Sequence, residues 1–144
     1  MQLGGVALIA GTRTALFIGR NGMGPFCYGN GTGDQALAAS RPAGNERYCY
    51  DPTNTDKGQH AYPYRYQMWA YDLAELAEVR ARRRDPWSVK PYGVWPFDLP
   101  IIEPGIRIGG VAYDPARQRI YVAQLLADRD GFAHRPLIHV YTVK

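Results

Sequence analysis

The stretch Gly109-Gly110-Val111-Ala112-Tyr113-Asp114-Pro115-Ala116-Arg117-Gln118-Arg119-Ile120-Tyr121-Val122-Ala123-Gln124 decides the fold, because the chain carries its plan twice. The other copy is Gly4-Gly5-Val6-Ala7-Leu8-Ile9-Ala10-Gly11-Thr12-Arg13-Thr14-Ala15-Leu16-Phe17-Ile18-Gly19. Each copy enters on Gly-Gly, runs through a short apolar strand, turns on a tight polar segment and returns as a second apolar strand. That is an antiparallel hairpin pattern. Matching Gly5 to Gly110 sets the copies 105 residues apart.

Working outward, Tyr64 to Tyr71 alternates and is rich in aromatics, so it reads as a third strand of the first unit. Asp72-Leu73-Ala74-Glu75 starts a helix, with Asp72 as cap and Glu75 placed to reach back. Leu73, Leu76, Ala77 and Val79 give that helix an apolar side, its arginines suit the helix C-terminus, and Asp85-Pro86 stops it. Lys90 to Leu99 reads as a strand at a sheet edge, since Pro91 and Pro96 cannot donate to a ladder. Pro100 to Gly105 is a connector, and Asp128-Arg129-Asp130-Gly131 is a polar loop. Leu137 to Val143 is a closing strand that holds the place in its unit that Gln67 to Asp72 holds in the first.

Between residues 20 and 63 lies a long stretch dense in turn pairs, among them Asn21-Gly22, Gly24-Pro25, Arg41-Pro42 and Asp51-Pro52. Its aromatic and cysteine content argues against disorder, so it reads as an ordered insertion on one surface. Cys27 and Cys49 lie within it and flank one loop. They allow one disulfide in an oxidising compartment, and equally two half-buried thiols.

The two-unit pattern resembles the four-stranded blades of bacterial β-propeller repeat proteins: inner hairpin with an Asp-Pro turn, then a third strand such as Gln67-Met68-Trp69-Ala70-Tyr71-Asp72-Leu73. The resemblance implies an all-β protein of about two antiparallel blades with one short helix. Residues 1–144 then form a single domain, with blade one over 4–99, carrying the inserted loop 20–63, and blade two over 106–144. Propellers close with about four to eight blades. The resemblance therefore implies completion by other copies, for example a trimer of about six blades, or descent from the C-terminal part of a larger propeller. The two sheets packing on each other as a compact β domain is the further alternative.

The chain has 144 residues, 46% hydrophobic and 21% charged, with Gly 16, Pro 11, Tyr 11 and net charge +4. That is a soluble, turn-rich, aromatic-rich composition, and no apolar run reaches the roughly 20 residues of a membrane span. The N-terminus has no basic n-region or cleavage pattern, which suits a cytoplasmic protein, or an extracytoplasmic one cut from a longer precursor.

Chemistry-bearing motifs are sparse. His60, His134 and His139 lack metal-ligand spacing and no cofactor motif appears. Asp51 to Gly58 echoes a calcium loop without its distant Glu and reads as an Asx-turn loop. Ser40 and Ser88 stand in no nucleophile elbow. Arg80, Arg82, Arg83 and Arg84 form a basic run without interleaved aromatics, so a solvated helix end accounts for it and nucleic acid is not the expected partner. Sugar-binding propellers place aromatic rings between blades. The resemblance thus makes Trp69, Trp95, Tyr64 and Tyr66 candidate ligand residues, with Arg107 at the start of an inner strand. The function expected is a binding or interaction module, self-associating through blade edges, with a sugar or other small ligand. The alternative is an enzyme, a propeller hydrolase or lyase, with its site in a central funnel made by several chains.

Overall fold

In the computed structural model, which describes residues 1–40, 46–99 and 107–143, the chain runs β1 (Gln2–Ile9), β2 (Thr14–Gly22), β3 (Cys27–Thr32), α1 (Gln35–Ala39), β4 (Tyr48–Tyr50), β5 (Lys57–His60), β6 (Tyr64–Asp72), α2 (Leu73–Arg80), a 3-10 turn at Pro86–Ser88, β7 (Gly93–Pro96), β8 (Ile108–Asp114), β9 (Arg119–Asp130) and β10 (Ala133–Thr142). The fold is mostly β. One four-stranded antiparallel sheet has the order β1-β2-β6-β7, a three-stranded antiparallel sheet has the order β10-β9-β8, and a small sheet has the order β4-β3-β5.

The two Gly-Gly hairpins have one register. Leu3 pairs with Gly19, Gly5 with Ile18, Val6 with Phe17 and Ala7 with Leu16. The positions 105 residues on pair likewise: Ile108 with Gln124, Gly110 with Ala123, Val111 with Val122 and Ala112 with Tyr121. Even the irregularity is shared, at Gly4 in one hairpin and Gly109 in the other. The turns close as their residues dictate. Gly11 takes φ +76°, which glycine adopts without strain, and Asp114 accepts from the amides of Ala116 and Arg117.

The two larger sheets stack face to face. Ala7, Ile9, Leu16, Ile18, Met68 and Ala70 of the first meet Val111, Tyr113, Ile120, Val122 and Tyr141 of the second, with Phe97 and Leu99 closing the side. β1 and β8 approach closely because β1 carries glycine at positions 4 and 5. A Cβ on Gly5 would fall 2.6 Å from the Val111 amide nitrogen, and one on Gly4 would meet the Ile108 side chain.

Three elements differ from the sequence expectation. The 20–63 segment is ordered in its described residues, but it is a sheet and not an irregular loop. β3 pairs in parallel with β4 and antiparallel with β5, and α1 makes a second helix. The edge strand of 90–99 is confined to Gly93–Pro96, at the sheet edge where its prolines put it. Asp128 to Asp130 continue β9, and Gly131, at φ +57°, makes the turn instead. The Pro100–Gly105 connector and the Arg41-Pro42 turn lie outside the described residues.

α2 is capped by Asp72, whose carboxylate accepts from Ala74 N–H and also pairs with Arg13. Glu75 does not reach back to the cap. It binds Arg84 at 2.6 Å, while Glu78 binds Arg83 at 2.7 Å. No residue of α2 is buried, so its apolar side stays shallow on the sheet.

Replacing Gly5 with valine forces the sheets apart at their closest point. The expected cost is about 1–3 kcal/mol or more, read as a lowered urea midpoint. An unchanged midpoint would show that β1 and β8 do not pack as described.

Candidate functional site

The sequence candidates separate in the structure. β6 alternates, so Met68 and Trp69 face opposite ways. The register sets Trp69 beside Phe17 and Val94, and Met68 beside Trp95. Trp69 therefore lies on the outer face of the four-stranded sheet, in a pocket of about 140 Å³ with Met1, Leu3, Phe17, Tyr71 and Leu76. Trp95 lies on the inner face, its ring over Gly93, at a cleft of about 350 Å³ between the sheets lined by Met68, Phe97 and Tyr141. The two tryptophans do not form one site.

Tyr64 belongs to a buried polar network in the insertion. Asp51 and His60 are 0% and 1% exposed. His60 Nδ1 sits 2.9 Å from Asp51 Oδ2, and its Nε2 sits 3.0 Å from the Asp56 carbonyl and 3.2 Å from that of Gly29. Tyr64 donates its hydroxyl to Asp51 at 2.7 Å, and Thr53 donates both hydroxyl and amide. Burial pushes the Asp51 carboxyl up, but the hydrogen bonds from Thr53, His60 and Tyr64 outweigh it and hold the group below its ordinary value. The Asp51 oxygens are thus satisfied from within, which leaves none for a calcium ion. Among the described residues no group of three or more His, Cys, Asp or Glu is placed to hold a metal.

The same insertion carries a disulfide between Cys27 and Cys49, with Cα atoms 5.8 Å apart and a sequence separation of 22. It ties β3 to β4, while Cys27 also pairs with His60 across to β5. A tie across a loop of that length is worth about 3 kcal/mol in the chain-entropy account.

Tyr66 and Arg107 do come together. They line one pocket of about 210 Å³ with Gln2, Leu3, Gly4, Gly19, Arg20 and Ile108, where β1 and β8 begin. Arg20 was not among the sequence candidates. It follows Leu16 and Ile18 at alternate positions of β2, so it is a charge on the core-facing side and only 5% exposed. Its Nε donates to Gln2 Oε1 at 2.6 Å and its guanidinium lies 3.9 Å from the Tyr64 ring centre. Nη2 is buried with no hydrogen-bond partner among the described residues. Burial, and then the charge of Arg107, make protonation of Arg20 harder than usual. Burial raises the Tyr66 hydroxyl, with Arg20 and Arg107 pulling it the other way.

No protein-family model, curated protein or solved structure matches the chain.

Because the folded Asp51 sits below its unfolded value, the stability it contributes is present above about pH 4 and is lost as pH falls through the depressed folded value. Asp72, Glu78 and Asp114 are also held low, by Arg13, Arg83 and Arg117, but they lie towards solvent, where such pairs add little. Asp51→Ala should cost about 3–5 kcal/mol. It should also flatten the loss of amide-exchange protection in β3 and β5 below pH 4. Equal acid sensitivity in wild type and variant would exclude Asp51 as the cause.

Proposed function

We propose that the protein is an interaction module of two blade-like repeats that associates with further copies of itself, the front of one sheet on the back of the next. One observation carries this reading: the faces left bare are the counterparts of the faces already joined. By the shared register, Gly5, Ala7, Leu16 and Ile18, which face the second sheet, correspond to Gly110, Ala112, Tyr121 and Ala123, which face away from the first. Val111 and Tyr113, buried between the sheets, correspond to Val6 and Leu8, which are 46% and 59% exposed. Met68 and Ala70 correspond in the same way to Ile138 and Val140, 55% and 50% exposed.

The intrachain contact of Gly5 with Val111 then has an unmade twin, Gly110 with Val6 of a second copy. A Cβ on Gly110 would meet nothing within 4 Å in the single chain. Such a contact joins different patches, so it is heterologous and builds a ring when its rotation closes. The blade resemblance favours closure, with a trimer of about six blades in the usual range.

The magnitudes favour a concentration-dependent assembly. Val6, Leu8, Ile138 and Val140 are about half exposed, so each offers on the order of 1 kcal/mol on burial. Association costs about 4–15 kcal/mol, and the half-buried Phe17 and Tyr121 must add to the gain.

Light scattering across a concentration series should give a mass rising towards a multiple of the monomer. Gly110→Val should leave the melting curve of the single chain unchanged and abolish the rise. A chain that stays monomeric to about millimolar concentration, or an assembly indifferent to Gly110→Val, overturns the proposal.

A further inference from the structure

The pocket at the start of β1 and β8 combines features that an apolar interface does not need. Two arginines, Arg20 and Arg107, contribute to its wall, and among the described residues that line it none carries a carboxylate. The Asp51 carboxylate favours the Arg20 charge from a distance but gives it no hydrogen bond, since its oxygens are spent on Thr53, His60 and Tyr64. Arg20 is buried, held by Gln2 on one edge and by the Tyr64 ring on its face, and its Nη2 lacks a partner among the described residues. A buried cation with an unmet donor beside a second cation is costly unless a counter-charge joins it. Guanidinium groups answer that need best with an oxyanion, because their planar forks match carboxylate and phosphate oxygens.

We propose that this pocket binds the oxyanion of a small molecule, a carboxylate or a phosphate, between Arg20 and Arg107. The roughly 210 Å³ volume is below the 300–1,000 Å³ common for drug-sized ligands, so the ligand is small. Gln2 fixes the Arg20 fork by accepting from Nε, which leaves the Nη edge for the anion. Arg107 is exposed at the pocket mouth and supplies the second charge. The site lies within one chain and does not depend on the proposed assembly.

The test is calorimetric titration of the protein with sodium phosphate and, separately, with sodium glucuronate, at ionic strength held constant with sodium chloride. Saturable binding of one anion is expected, and which one identifies the headgroup. Arg107→Gln, a change at an exposed side chain, should weaken that binding about tenfold or more while leaving the melting temperature in chloride unchanged. Arg20→Lys, which keeps the charge but loses the fork, should weaken it too. No saturable heat with either anion, or an unchanged affinity in Arg107→Gln, would overturn the assignment.

Discussion

The glycines at positions 4 and 5 of β1 set the distance between the two sheets, and the rest of the core is arranged around that distance. With no side chain at Gly5, the Val111 backbone and side chain occupy the space, and the strands lie close enough for Ile18, Ile120 and Val122 to be almost completely enclosed. A close-packed interior has little slack, so one methyl at that point is felt along both hairpins. The equivalent glycine of the second hairpin, Gly110, opens onto free space. One sequence device is thus used once inside the chain and offered a second time on its surface.

The insertion is held differently. Its strands are three to six residues long, too short to bury an apolar layer of their own. The Cys27–Cys49 bridge and the Asp51–His60–Tyr64 network take that role, with covalent and charge-assisted links in place of packing. Tyr64 belongs to both worlds: it closes the network through its hydroxyl and carries Arg20 on its ring. The pocket at Arg20 is therefore coupled mechanically to the insertion that follows it in sequence.

The hairpins, the Asp72 cap and the edge position of β7 were legible because each rests on local chemistry: alternation, a capping carboxylate, a proline without a donor. The small sheet was not. Its parallel β3–β4 pairing joins Asn30 to Tyr48 and Gly31 to Cys49, contacts that no local period announces. The aromatic candidates split because cross-strand register, which sets Trp95 beside Met68 and not beside Trp69, is invisible in a single strand. Arg20 did leave a signal, a charge at the next inward position after Leu16 and Ile18 in a strand otherwise apolar on that side. Its companion in the pocket, Arg107, stands before a different strand, so no single-strand pattern pairs the two.

A front-to-back pair of faces has direction, and direction has a consequence for the fate of the molecule at high concentration. A two-fold contact uses up both patches at once and stops. A directional one always presents another free face, and only the angle between successive units decides whether growth ends. In the proposed assembly that angle would follow from the β1–β8 spacing, and a small change there would turn a closed ring into an open helical polymer. A variation at Gly4 or Gly5 is in this sense a control on solubility as much as on folding. Pro96 on the edge strand β7 fits the same economy, since it discourages sideways strand addition while leaving the flat faces available.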